Sequence, residues 1–459
     1  MKFTKRTGHI LNFISLAILL VIVLNVLGSA LVPVTYAYYY KHDMEQMAKK
    51  GETYDLIFIG ASRTYRSFDP KIFEKNTEYK NVLNAGSVAQ TIEGSYYLAK
   101  ELIAKNHPKR IVLGLSYNEL FYEQEDKSPR GNMVLYDRLE DPLIKAEFIS
   151  KVLKGNNLLY LSNVYRYGSS ISLSYLKETC SEKKALRDSD FAPVVKKKEY
   201  YAGNGFVYSK RKVRTGNTPM RGEDVFDSEK VDPNKKAYLD KIVQLCRDNG
   251  VQISLVTGPT SLMYMYNIAN YQGATDYYAA YASMNGLSYH NLGMLKNRLK
   301  LFPEKYMLDY NHVNGKGADI ASEEYAKILN MEEAGESTDD LFYDDVSEIK
   351  KQIDYVVAVK AEEKLDLTRK DHRKYLDVYS LENDGETAEY EIRAREPGEK
   401  KYSTVYEYSE SDSFDITDIA KPGARIAVYA RIKGHDVNKE AYQIYVVDGS
   451  GKKLIRKLL

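Results

Sequence analysis

Tryptophan is absent from this sequence, and cysteine nearly so, with Cys180 and Cys246 alone. Two cysteines without a CxxC or a His/Cys cluster exclude the usual zinc patterns and a disulfide scaffold, although one bond between the two stays open. Cys246 falls on one helical face with Leu239, Ile242 and Val243, which reads as a small buried apolar group. A strong charge of either sign is missing too: 66 lysines and arginines against 64 acidic residues leave a formal +2 over 459 residues. That balance excludes a global pull toward nucleic acid or another polyanion. No phosphate-binding glycine loop, metal cluster or nucleic-acid motif occurs, so neither cofactor nor metal is expected. The length favours two folded domains plus an anchor.

Long apolar runs are scarce, with one exception. Residues 10–33, ILNFISLAILLVIVLNVLGSALVP, carry no charge and are long enough to cross a bilayer as a helix. The run exceeds the apolar core of a cleaved signal, about 7–15 residues, so it reads as an uncleaved single-pass anchor, while Gly28-Ser29-Ala30 keeps a peptidase site open. Lys2, Lys5 and Arg6 make residues 1–9 a cytoplasmic tail, and Tyr36, Tyr38, Tyr39 and Tyr40 stand where an aromatic belt would lie on the far side. The bulk of the chain is then extracytoplasmic, on the cell membrane's outer face. Lys41, Lys49 and Lys50 reduce the charge asymmetry behind that orientation.

Beyond the anchor, short apolar runs alternate with helical patterns, the signature of a parallel sheet with crossover helices. The strands are expected at 56–59, 81–84, 111–115, 251–256 and, more weakly, 287–292. Helical spacing joins Ile92, Tyr96, Ala99 and Ile103, and again Leu239 to Cys246. This α/β domain is expected over 50–330, with a long insertion at about 117–232. The insertion reads as a lid over the sheet ends or as a solvated decoration. An acidic linker at 331–348 leads to a β-sandwich at 349–459, whose Asp448-Gly449-Ser450-Gly451 marks a hairpin. Tyr390, Tyr402, Tyr406 and Tyr408 offer rings for sugar stacking or simply fill strands.

Two places carry chemistry. The first strand ends in Gly60-Ala61-Ser62, a serine just past a tight turn at the C-terminal edge of a sheet, where a nucleophile would stand. Many α/β domains place Gly and Ser there for structure alone. Near the end of the domain, Asp309 precedes His312 by three residues before a helical stretch. That spacing lets a carboxylate hold one ring nitrogen while the other faces a serine; the alternative is Asp309 or Asn311 capping a helix beside a surface histidine.

Together these elements resemble the SGNH hydrolase superfamily over about residues 54–329, and within it the anchored, extracytoplasmic branch of DltD-like and alginate-acetylation proteins. The resemblance implies Ser62 as nucleophile, His312 as general base and Asp309 as its orienter. It further implies an oxyanion hole from the N–H groups of Ser62 and Gly86. Its third element departs from the pattern: Ser116 stands where the superfamily has asparagine, and the nearest one is Asn118, so either, or neither, is a donor. Arg63 and Arg66 flank the serine and read as substrate anion holders or as a solvated rim.

The leading expectation is acyl transfer, of an acetyl group first, through a Ser62 ester to a cell-surface polysaccharide or a teichoic-acid-like polymer. The resemblance implies a multi-pass membrane acyltransferase as partner. A carbohydrate esterase would use the same residues, and a non-catalytic polymer-binding scaffold is the reading from another class.

Overall fold

The structure, a computed structural model, describes residues 15–16, 19–20, 23, 28–121, 130–153, 158–167, 172–192, 194–195, 198–212, 222, 224–365, 373–435, 441–449 and 453–456. The tail at 1–9 and most of the expected span at 10–33 lie outside them. Among the described residues no helix is long and apolar enough to cross a membrane.

The central sheet is built from β1 (Leu56–Gly60), β2 (Val82–Asn84), β3 (Arg110–Gly114), and, after a hairpin of β4 (Glu199–Gly203) and β5 (Phe206–Ser209), β6 (Gln252–Thr257) and β7 (Ser288–Asn291). Five strands run in the order β2-β1-β3-β6-β7. β1 pairs in parallel with both β2 and β3, and all five of its residues are buried. That environment on both faces is why its sequence is a continuous apolar run rather than an alternation. The five expected strands thus stand within a residue or two of their places, and the α/β fold is as expected.

The chain divides into two compact units. One comprises residues 1–114, 119–208 and 232–254. Its crossover helices, Ile92–Asn106 and Pro233–Asp248, start at side-chain caps: Thr91 accepts from the N–H of Gly94, and Asp232 from those of Asn234 and Lys235, with Pro233 in the first turn. Leu239, Ile242, Val243 and Cys246 form the buried face of the second helix. No disulfide forms; Cys246 is buried and Cys180 exposed.

The tyrosines expected in a membrane belt lie on the helix Tyr36–Lys50. Tyr39 and Tyr40 are buried, Tyr39 stacking on Tyr201 at 5.0 Å and Tyr40 lying under the Arg138 guanidinium at 4.8 Å. These two rings pack against protein.

The other unit comprises residues 115–118, 209–231 and 255–459. The acidic stretch expected as a linker begins inside the helix Gly315–Glu333. It is then tied down by backbone bonds from the N–H of Lys296 to Leu341 and from the N–H of Tyr343 to Met294, both 2.9 Å.

Two antiparallel sheets follow, from β8 (Ala358–Leu365), β9 (Lys374–Leu381), β10 (Ala388–Arg395), β11 (Ser403–Ser409), β12 (Ser413–Asp415), β13 (Arg425–Ile432), β14 (Ala441–Val447) and β15 (Leu454–Arg456). Their orders are β8-β9-β12 and β11-β10-β13-β14-β15. Alternate residues of both, including Val359, Leu376, Ile392, Ile426 and Val428, meet in one apolar cluster, as two face-to-face layers require. Tyr390 is buried in that cluster and Tyr406 packs against it, so these two rings fill the interior instead of offering a stacking surface.

Candidate functional site

Ser62 opens the short helix Ser62–Ser67 directly after β1. The turn between them depends on Gly60, whose φ is +153° and whose missing Cβ would stand 2.7 Å from the carbonyl oxygen of Gly114; only glycine fits there. Beneath the helix, Phe58, Phe68 and Phe73 are fully buried, with ring centroids of Phe58 4.9 Å and 4.7 Å from those of the other two. Burial of such a ring is worth about 1.5–3 kcal/mol, which holds the turn against β1. Ser62 itself is half-buried.

Asn84, fully buried at the end of β2, links this helix to the loop that follows. Its amide nitrogen donates to the carbonyls of Thr64 (2.9 Å) and Phe68 (2.7 Å), while its Oδ1 accepts from the N–H of Gly86 at 3.1 Å. One side chain therefore sets the Ser62 helix relative to the Gly86 loop. The same bond corrects an expectation: the N–H of Gly86, a foreseen oxyanion donor, is already engaged by Asn84.

Arg66 also departs from its expected role. Its guanidinium forms a two-pronged pair with Glu199, 3.0 Å and 3.3 Å, between side chains each 11% exposed. A fork filled by a carboxylate does not offer itself to a substrate anion. Glu199 arrives on the β4–β5 hairpin, which also caps β2 where the N–H of Asn84 donates to the carbonyl of Asn204 at 2.8 Å. This part of the insertion is thus packed beside the Ser62 turn. Glu199, 133 residues from Arg66, escaped sequence reasoning because nothing local marks it. Arg63 is half-buried on the same helix.

Within the other unit, Asp309 and His312 meet as their spacing predicts. Nδ1 of His312 lies 2.9 Å from Oδ1 and 3.1 Å from Oδ2 of Asp309. Oδ1 also accepts from the N–H groups of Asn311 (2.8 Å) and His312 (2.9 Å), and the N–H of Leu308 donates to the carbonyl of His312 at 2.8 Å, closing the turn. Burial by itself would raise the Asp309 carboxyl; the hydrogen bond and charge of His312, with the two backbone N–H groups, outweigh it and hold Asp309 below the usual aspartate range. With Nδ1 committed to Asp309, proton exchange falls to Nε2. The helix after the turn is capped by Asn314, which accepts from Lys316 and Gly317, so neither Asp309 nor Asn311 is its cap.

Ser116 and Asn118 act as a pair. The Ser116 hydroxyl donates to Oδ1 of Asn118 at 2.8 Å, which leaves the amide NH2 of Asn118 directed away from Ser116. The carbonyl of Ser116 accepts from the Tyr278 hydroxyl at 2.9 Å. Next to them Tyr117 packs edge-on to Tyr264 at 5.8 Å, Tyr264 lies 6.2 Å from Tyr310, and Ser261 donates to the Tyr310 carbonyl at 2.8 Å. A run of tyrosines thus links the Ser116–Asn118 turn to the Asp309–His312 turn. Among the described residues no group of His, Cys, Asp and Glu is arranged to hold a metal ion.

No protein-family description and no curated protein matches the sequence. Among solved structures the chain is similar to a GDSL-like lipase from Bacteroides thetaiotaomicron, at 13% identity and a TM-score of 0.30, over 65% of this chain and 100% of the lipase. It is similar also to a candidate acylhydrolase from Bacteroides fragilis, at 12% identity and a TM-score of 0.30, over 63% of this chain and 97% of the other. A third likeness is to a gut microbial diltiazem-metabolizing enzyme, at 10% identity and a TM-score of 0.22, covering 80% of this chain and 71% of that one. The first two neighbours are named GDSL-like lipase and acylhydrolase; the names do not extend to the DltD-like or alginate-acetylation branch. At TM-scores this low they are likenesses only, and the chemistry rests on the chain's own residues.

Proposed function

We propose that the protein performs serine-dependent acyl chemistry, with Ser62 as nucleophile, His312 as general base and Asp309 as the group that orients it. The observation that carries this reading is the Asp309 carboxylate clasping Nδ1 of His312 at 2.9 Å, in a turn whose backbone N–H groups keep that carboxylate ionised. In this reading the base at Nε2 removes the Ser62 proton as the oxygen attacks an ester carbonyl, and returns it to the donor alcohol, which leaves as its C–O bond breaks to give the acyl-serine. The acyl-serine then passes its acyl group to an acceptor hydroxyl. The amide NH2 of Asn118, oriented by Ser116, and the N–H of Ser62 are the proposed oxyanion donors.

The finer reading is an anchored, outward-facing enzyme that moves an acetyl group onto a cell-surface polysaccharide or teichoic-acid-like polymer beside a multi-pass acyltransferase. Residues 10–33 and the SGNH resemblance support it. Water and a sugar hydroxyl are similar nucleophiles toward an acyl-serine, so one assay separates transfer from hydrolysis. The detergent-solubilised full chain is given p-nitrophenyl acetate with and without a glycan acceptor. Release that needs Ser62 and accelerates with acceptor supports transfer, and Ser62-dependent release indifferent to acceptor supports an esterase. Release unchanged in Ser62→Ala would sink both.

A further inference from the structure

A cavity of about 230 Å³ lies in the first unit, lined by seven residues between Ser29 and Lys41 together with side chains from the helices Pro142–Val152, Asn163–Tyr167 and Leu173–Asp188. Four cations face it, Lys41, Lys145, Arg166 and Lys183, against one carboxylate, Asp137. Arg166 and Asp137 neutralise each other: the guanidinium is paired with Asp137 and donates to Asn163, and the Tyr167 hydroxyl donates to the other oxygen of Asp137. Lys183 donates to the carbonyl of Ser29 at 2.7 Å and lies 5.8 Å from the Tyr38 ring centroid.

Lys41 and Lys145 differ from both. Among the described residues neither is ion-paired; the ammonium of Lys145 rests 4.8 Å over the Tyr136 ring. Burial first, then the charges of Lys41 and Arg166, push Lys145 down to about 8. Two lysines lacking an anionic partner, beside a cavity that already carries excess positive charge, repel one another unless an anion enters. Val32, Pro33 and Ala37 complete the wall with apolar surface. That suits an anion carrying an organic part. Ser29, Val32 and Pro33 also belong to the end of the apolar run at 10–33, next to which a lipid headgroup would lie if that run spans a bilayer.

We infer that this cavity binds a phosphate group through Lys41 and Lys145, presented either by an anionic lipid headgroup or as soluble phosphate. The unesterified oxygens of one phosphate, two in a diester headgroup and more in the free ion, can accept from both ammonium groups at once, forming charge-assisted hydrogen bonds. The inference is independent of the acyl chemistry proposed for Ser62.

The test uses the full chain in a neutral maltoside detergent, with calorimetric titration of inorganic phosphate, dihexanoylphosphatidylglycerol and dihexanoylphosphatidylcholine. Saturable binding of phosphate or of the glycerol lipid is expected, weakened about tenfold or more in the double variant Lys41→Gln/Lys145→Gln and retained in Lys145→Arg. Binding of the glycerol lipid alone assigns the site to a headgroup, and binding of inorganic phosphate alone assigns it to a soluble source. Without ligand the double variant should melt no lower than the parent, because a repulsion has been removed. If it fails to fold, Lys41→Gln alone, a change at a half-buried side chain, carries the same comparison. No saturable binding of either anion overturns the inference. So does equal binding by parent and variant, or binding of the choline lipid as tight as that of the glycerol lipid.

Discussion

Replacing Asp309 by asparagine probes the histidine pair at the atom that matters. Oδ1 accepts two backbone N–H groups and lies 2.9 Å from Nδ1, while Oδ2 stands 3.1 Å from the same nitrogen. An asparagine that keeps both backbone bonds through its own Oδ1 must place its NH2 where Oδ2 now is. A donor there makes Nδ1 an acceptor and moves the ring proton to Nε2, and in that tautomer Nε2 does not accept the serine proton. The comparable change in a serine-protease triad lowers kcat about 10⁴-fold. The side chain of Asp309 is 47% exposed, and water there lets part of the population return to the working tautomer. The expected loss is therefore about 10²–10⁴-fold in p-nitrophenyl acetate turnover.

Because the turn's backbone bonds survive, the thermal midpoint of Asp309→Asn should stay close to that of the parent. Asp309→Ala instead strips the partner from two turn N–H groups and costs about 1–2 kcal/mol in stability. Turnover and thermal unfolding measured on the same preparations separate the two effects. The reasoning is refuted if Asp309→Asn keeps more than about a third of parental turnover at an unchanged midpoint.

Asn84→Ala removes three hydrogen bonds from a fully buried position and should cost about 2–4 kcal/mol, seen as a lower denaturation midpoint together with reduced turnover. Burial pushes the Glu304 carboxyl up to about 7 against the pull of Arg298. Its folded value exceeds the unfolded one, so its contribution is full below the ordinary glutamate range and is lost as pH rises through about 7. Glu304→Gln should flatten that decline in thermal midpoint, and an unchanged slope would count against it. For Asp309 the sign is opposite: the contribution is present above the ordinary aspartate range and disappears only as pH falls through a depressed value, so Asp309→Ala should lose less stability on acidification than the parent. Cys180 is exposed and Cys246 buried, with the Cys246 thiol pushed up to about 12 by burial. A thiol reagent should therefore label one cysteine in the native protein and two after unfolding.

What the sequence by itself determined is what short-range pattern can encode. Continuous apolar runs located β1, β2, β3 and β6, because strands covered on both faces need no alternation; β7, whose first two residues are only half-buried, left a weaker trace. The three-residue step from Asp309 to His312 was enough to foresee their bond, since a tight turn brings such neighbours together whatever surrounds them. Only the tertiary structure decided the partners that arrive from far along the chain. Glu199 claims Arg66 across 133 residues, and Asn84 reaches back to Thr64 and Phe68. Tyr39, Tyr40 and Tyr390, for which the sequence left a membrane belt, a sugar or a strand interior open, are buried in the protein. The physical reason is common to all of them. Periodicity and turn chemistry are written in adjacent residues, whereas the partner of a buried charge or ring is set by which distant surfaces close over it.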